Sequence, residues 1–243
     1  MRNTRIFIDQ PLSCGTNVVF DERAARHVNQ VLRLKRGESV TLFNGQGGEF
    51  HANLTEVTRR GVQANVETHV NIERESPLNI HLGQGLAKGE RMDIVIQKAV
   101  ELGVSTITPV ATERSVIKLT HERAQRRHTH WTSIAIHACQ QCGRNRVPTI
   151  GEVVQLSSWV QENHSGLRLL SSPGATQSLN SLDAPGQCVT LLVGPEGGLT
   201  EQEQDFAARH DFVAVRLGGR ILRTETASIA ALVAMQLKWG DLG

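Results

Sequence analysis

Leu191-Leu192-Val193 runs into Gly194-Pro195-Glu196-Gly197-Gly198-Leu199-Thr200. An apolar strand that delivers the chain into three glycines lets a backbone approach a ligand closely. Thr200 and Glu203 have the spacing of a capping box, so a helix opens directly behind the loop. The glycine spacing matches neither G-x-G-x-x-G nor a Walker A loop, which disfavours a classical dinucleotide or triphosphate site. A second segment repeats the plan: Leu217-Gly218-Gly219-Arg220-Ile221-Leu222-Arg223-Thr224-Glu225-Thr226. Thr224 is placed to cap a helix, and Glu225 suits the positive end of its dipole. Two arginines flanking Ile221-Leu222 exceed what a solvated loop requires, whereas a loop that covers a ligand uses them. Taken singly, each segment also reads as a plain strand–helix turn.

Two further constellations are less specific. Arg123, Arg126, Arg127, His130 and His137 share one helix face opposite Trp131, with Arg144 and Arg146 beyond. Such a face is either solvated or a track for phosphates. Cys139-Gln140-Gln141-Cys142 is a lone C-x-x-C with only His137 nearby, so neither zinc nor redox chemistry is expected there. There is no G-x-S-x-G and no metal-ligand spacing among the other histidines.

These segments must be positioned by elements with their own periodicity. Val40, Leu42, Phe50, Ala52, Leu54, Val62, Ala64 and Val66 alternate within their runs, which predicts strands. Asn44-Gly45 and Arg59-Arg60-Gly61 are the turns between them, and a short helix is expected around Asp21 to Leu32. A small barrel closes such a set. We read 1–72 as this domain, 73–77 as a charged linker ending in Pro77, and 78–243 as a second domain. There, strand-like Asn79 to Gly83, Thr106 to Ala111, Leu167 to Ser171, Val189 to Val193 and Val213 to Leu217 accompany helices at Glu90 to Leu102 and His121 to Cys142. The pattern predicts an α/β fold with a mainly parallel sheet, whose ligands sit at the carboxyl ends of the strands.

Composition bounds the rest. The chain has 243 residues, 39% of them apolar, and no apolar run approaches the length of a membrane span. The start carries no apolar stretch of a secretory signal, and four cysteines suit a reduced, cytoplasmic protein. Net charge is +2, but 21 of the 26 basic residues are arginine, the better phosphate ligand. Residues 1–150 hold 20 Lys+Arg against 14 Asp+Glu, and residues 151–243 hold 6 against 10. The near-neutral total therefore conceals a basic first part suited to RNA. Nine aromatics and no Tyr argue against an extensive base-stacking platform.

The two glycine loops closely resemble the C-terminal motifs of the RsmE family, the 16S rRNA uridine-N3 methyltransferases of the SPOUT (α/β-knot) superfamily. Ile96 through Val104, Thr112-Glu113-Arg114-Ser115, Gln141-Cys142-Gly143-Arg144, His27 through Arg33 and Leu42-Phe43-Asn44-Gly45 match as well, in the expected order. Cys142 stands where many members have Ser. The resemblance implies a PUA-like barrel followed by a SPOUT domain with a deep trefoil knot. It further implies a homodimer without metal, S-adenosylmethionine as cofactor, and 16S rRNA of the small ribosomal subunit as partner. Leu170, Ser171, Gly194, Pro195, Glu196, Gly197, Gly198, Leu217, Gly218, Ile221, Leu222 and Arg223 would then hold the cofactor. Arg223, Glu225, Glu196 and Arg144 are candidates for catalysis. Arg2, Arg5, Arg33, Arg114, Arg123, Arg127 and Arg144 are expected on the RNA backbone. A SPOUT 2′-O-ribose methyltransferase and a non-catalytic ribosome-assembly factor are the competing readings.

Overall fold

The alternating apolar residues of the first segment form one buried set. Val40, Leu42, Ala52, Leu54, Val62, Ala64 and Val66 pack with Ile6, Ile8, Val18, Phe20 and Val28. The computed structural model describes residues 4–115, 121–162 and 165–243. Their strands in the first unit are β1 (Arg5–Phe7), β2 (Asn17–Val19), β3 (Ser39–Phe43), β4 (Glu49–Thr58) and β5 (Gly61–Val70). The sheet order is β1-β3-β4-β5-β2. Only the β1–β3 pairing is parallel. The helix expected over Asp21 to Leu32 is two pieces: α1 (Glu22–Arg26), capped by Asp21, and a π-helical stretch, His27–Leu32. Val28 is the residue that the second piece drives into the core.

The chain divides into two compact units, Met1–Glu75 with Cys139–Val147, and Ser76–Ala138 with Pro148–Gly243. Nothing in the local sequence pattern links the short stretch Cys139–Val147 to the first unit.

The second unit is built on β6 (Asn79–Gly85), β7 (Thr106–Ala111), β8 (Thr149–Ile150), β9 (Val154–Gln155), β10 (Leu167–Ser171), β11 (Cys188–Val193) and β12 (Val213–Val215). Its order is β12-β10-β11-β6-β7-β8, with β9 also pairing on β7. Every pairing described is parallel. The fold is thus mixed α/β with a parallel sheet, as the strand–helix alternation implied. β12 stops short of the expected Leu217. Arg216 donates its N–H to Gln177 instead, and the chain turns away from the sheet.

Helices cover both faces. Leu156, Trp159 and Val160 of α4 (Leu156–Gln161) and Ala207 of α5 (Glu201–Ala208) pack with Leu170, Leu192, Leu199 and Phe212. α2 (Arg91–Glu101) buries Met92, Val95, Ile96, Ala99 and Val100, and lies against α6 (Thr224–Trp239). Gln236 of α6 donates to the Leu102 carbonyl at 2.7 Å, closing the open end of α2. The predicted capping box of α5 is formed, with Thr200 and Glu203 bonded reciprocally. α6 begins differently from the expectation. Arg223 occupies the cap position, because the Thr224 hydroxyl is committed to the Gly194 carbonyl at 2.6 Å. α3 (His121–Cys142) completes the helices.

Candidate active site

Three adjacent parallel strands, β10, β11 and β12, end on the same side and release three loops. Between those loops lies a cavity of about 540 Å³. All twelve residues named above for the cofactor line it: Leu170 and Ser171, Gly194 through Gly198, and Leu217, Gly218, Ile221, Leu222 and Arg223. The position follows from the sheet, since parallel strands place their loops and the N-termini of following helices at one edge. Gly198 and Gly218 have φ of +68° and +85°, and a Cβ on either would meet nothing within 4 Å. Here glycine serves the backbone turn, not the relief of a clash. Leu170 and Val193 are buried, and Leu217 and Leu222 half-buried. Ile221 is 87% exposed at the same cavity.

The charged groups divide sharply. Arg223 is exposed, and its guanidinium makes no hydrogen bond or ion pair among the described residues. Glu196 is fully engaged. One oxygen accepts from the Lys88 backbone N–H and from Arg91, both at 2.8 Å. Partial burial acts to raise its pKa, but the Lys88 N–H and Arg91 outweigh that and hold the carboxyl below its ordinary value. Glu225 differs again. Its Oε2 is buried without a hydrogen-bond partner, with Arg91 Nε 3.8 Å away.

The lowered pKa of Glu196 fixes a pH dependence. A depressed folded-state value stabilises the fold above the unfolded pKa, and that contribution is lost as pH falls through the folded value. We expect wild-type stability to fall below about pH 4.5 more steeply than that of Glu196→Gln. Urea midpoints measured across that range check this, and parallel curves would refute it.

Sequence reasoning missed Arg91 and Gln204. Arg91 is the first residue of α2, where a cation opposes the helix dipole. A cation there calls for acidic partners, and Glu196 and Glu225 supply them. Gln204 joins two of the loops, accepting from Ser172 Oγ at 2.9 Å and donating to the Leu199 carbonyl at 3.2 Å.

The arginines expected on RNA fall into distinct environments. Arg2 lies outside the described residues. Arg33 and Arg123 are exposed. Arg127 sits over the Trp131 ring at 5.9 Å, one turn away, so it lies on the Trp131 side of the helix and not opposite it as expected. Arg114 donates to the Gly197 carbonyl at 3.0 Å and so braces the glycine loop. Arg144 is buried, and Arg5 half-buried, in an ion network. Arg144 is 4% exposed and grips both carboxylate oxygens of Glu75, its Nε at 3.0 and 3.1 Å. Burial works against the Arg144 charge, but the Glu75 hydrogen bonds and charge raise its pKa above the ordinary arginine value. Arg5 pairs with Glu49 and donates to the Arg144 carbonyl, and Arg74 joins Glu49 at 3.2 Å. Arg144 is therefore a structural pin in this chain, not the free cation the sequence suggested. In the C-x-x-C segment, burial pushes the Cys139 thiol up to about 12.

Comparison with known proteins agrees with this geometry. Residues 74–236 match the model of an RNA methyltransferase domain, and residues 20–67 that of an RNA methyltransferase PUA domain. Ribosomal RNA small subunit methyltransferase E of Buchnera aphidicola subsp. Schizaphis graminum is 35% identical over 99% of this chain and 98% of its own. The protein of that name from Bacillus subtilis is 32% identical over 86% and 85%. A methyltransferase of Legionella pneumophila, solved with bound SAM, superposes with a TM-score of 0.97 at 39% identity over the whole of both chains. The Neisseria gonorrhoeae ribosomal RNA small subunit methyltransferase E, bound to S-adenosylmethionine, gives 0.93 at 39% over the whole of both. With a methyltransferase model covering two thirds of its length and such relatives along all of it, the chain belongs to the ribosomal RNA small subunit methyltransferase E family.

Proposed function

We propose that this chain methylates N3 of a uridine in 16S rRNA, with S-adenosylmethionine as the methyl donor. The cavity at the ends of β10, β11 and β12 carries the proposal. Its volume lies in the range of small-molecule sites. Apolar Leu170, Leu217, Ile221 and Leu222 suit the faces of a purine, and the glycine backbones offer amides for its polar edges. The residues that would hold the cofactor are the twelve named above. When bound, S-adenosylmethionine supplies a methyl group already activated on a sulfonium.

The chain's own residues then have two tasks. Uridine N3 lies on the Watson–Crick edge and bears a proton, so the base must be unpaired or flipped out. Loss of that proton spreads negative charge over O2 and O4. Arg223, an unpaired cation on the cavity wall, stabilises that charge. Glu225 Oε2, which makes no hydrogen bond and lies 3.8 Å from Arg91 Nε behind the cavity lining, is assigned as the acceptor for the proton. Glu196 is spent on Lys88 and Arg91 and serves to hold its loop.

The remaining parts of the proposal rest on separate observations. Residues 1–72, which share their compact unit with 73–75 and 139–147, act as the RNA-binding domain, and 78–243 apart from 139–147 as the catalytic one. Arg33 and Arg123 remain exposed for phosphate contacts, while Arg5 and Arg144 stay in the ion network. A trefoil knot is supported by the path of segment 216–223. It starts on β12, beyond β10, and ends at Thr224, which bonds to Gly194 at the end of β11. Exposed Ile221 at the cavity, and exposed Leu237 and Leu242 at and just beyond the far end of α6, support a homodimer as apolar side chains that a second copy would cover. No described helix is long and apolar enough to cross a membrane, and a ribosomal substrate implies the cytoplasm.

Methylation of small subunits lacking the mark, followed by nucleoside analysis, tests the proposal. N3-methyluridine is the expected product. A 2′-O-methylated nucleoside would select the ribose methyltransferase. No product, together with no heat on titration with S-adenosylmethionine, would select the non-catalytic assembly factor.

A further inference from the structure

A buried line of hydrogen bonds runs beneath the cavity and touches none of the residues singled out from the sequence except Gly194 and Thr224. It begins at Gln84, in the last turn-out of β6 toward its carboxyl end, where the side chain is fully buried. Ser228 Oγ shares its one proton between Gln84 Oε1 at 2.5 Å and the Thr224 carbonyl at 3.0 Å. Gln84 Nε2 donates to Thr224 Oγ1 at 2.9 Å and to the Gly85 carbonyl at 3.0 Å. Thr224 Oγ1 donates in turn to the Gly194 carbonyl at 2.6 Å. The direction of the line is forced. A carbonyl only accepts, so the single Thr224 proton goes to Gly194, and Thr224 Oγ must then accept from the amide of Gln84. A side chain that lacks either a donor or an acceptor at position 84 breaks it.

The line joins the two halves of the site. At one end is the glycine loop after β11, and at the other the first turn of α6, which carries Arg223 at its cap and Glu225 one residue inside. A second observation points the same way. A Cβ on Gly85 would lie 2.5 Å from Pro195 N, so the end of β6 supports the glycine loop by direct backbone contact. The loop is thus held from below by Gly85 and from the side by the hydrogen-bond line.

We propose that Gln84 is a positioning residue for methyl transfer: through Thr224 it sets the start of α6 against the glycine loop, and so aims Arg223. The proposal rests on the methyltransferase reading above. Cofactor contacts are spread over a dozen residues and tolerate a small displacement. A single guanidinium acting on the reacting base does not, because misplacement by about 1 Å costs on the order of 100-fold in rate. The effect of Gln84 therefore falls on kcat and not on the KM for the cofactor.

The test uses the full chain with small subunits lacking the mark, and reads kcat, the KM for S-adenosylmethionine and Tm. Gln84→Met keeps length and volume and removes the hydrogen bonds. It is expected to lower kcat about tenfold with KM within about twofold of wild type. Thr224→Val, which cuts the line one bond further on, is expected to do the same. Arg223→Lys retains a cation and gives a partial loss, and combining it with Gln84→Met is expected to add nothing. Losses that multiply in the double variant would overturn the proposal, as would folded Gln84→Met with a wild-type kcat. Should Gln84→Met fail to fold, Thr224→Val enters the same comparison with Arg223→Lys. N3-methyluridine formed by the wild type in this assay tests the underlying reading independently.

Discussion

Arg223→Ala is expected to lower methyl transfer by about 10²–10³-fold, the usual cost of removing one donor from a developing anion. The chain should still fold and still bind S-adenosylmethionine, since the other eleven residues that would hold the cofactor are unchanged. The physical basis is the isolation of the side chain. Its guanidinium is exposed on the cavity wall and bonds to no other described residue. Truncating a surface side chain without partners changes stability by no more than about 0.5 kcal/mol. The backbone of Arg223 remains the cap of α6, because that role uses its φ and ψ and no side-chain hydrogen bond. Single-turnover rates at saturating cofactor, with Tm and calorimetric affinity alongside, separate the three quantities. Turnover within about twofold of wild type would remove Arg223 from the chemistry.

Arg144→Ala should be costly for a different reason. Arg144 and Glu75 form a buried pair with side chains 5% and 20% exposed. Removing one partner of such a pair leaves the other charge desolvated and costs about 3–5 kcal/mol. The Arg144 backbone carbonyl and Asn145, which accept from Arg5, are untouched by the change, so the loss is that of the Glu75 pair. Urea midpoints should fall accordingly. Arg144→Met combined with Glu75→Leu should recover much of the loss, since an apolar pair of similar volume avoids the unpaired charge. An RNA contact would behave otherwise. It would leave the midpoint unchanged and reduce the salt dependence of RNA binding by about one unit of slope.

The contrast between these two arginines shows what could be read before the structure. Arg223 sits between apolar Ile221-Leu222 and a helix start, in a loop that opens on two glycines, and local pattern suffices to mark it. The twelve cavity residues were legible through the resemblance to the RsmE family; local pattern alone marks only the two glycine loops, which follow apolar strands of a parallel sheet. Arg144 follows an Arg-rich helix and looks solvated from its neighbours alone. Its partner is 69 residues away, and a pairing at that separation leaves no periodic signal. Arg5, Arg74 and Arg146 are likewise matched with Glu49 and Glu73, so part of the basic excess of the first 150 residues is neutralised internally. Gln84 was unreadable for a related reason. A polar residue near the end of a strand looks ordinary until its partners, 140 and 144 residues on, are brought beside it.

The strand order of the second sheet also bears on how the chain reaches this state. Its centre is the pairing of β6 with β11, joining Asn79–Gly85 to Cys188–Val193. More than a hundred residues separate the two partners, and their ladder is parallel. Closing so long a loop costs entropy before any contact rewards it, and such non-local pairing raises contact order and slows folding. The first unit, by contrast, draws β3, β4 and β5 from consecutive hairpins. On a ribosome, the hairpins can assemble while the later sheet still lacks its middle. The cavity, lined by residues 170–227 and Arg91, is then the last part of the chain to acquire its walls.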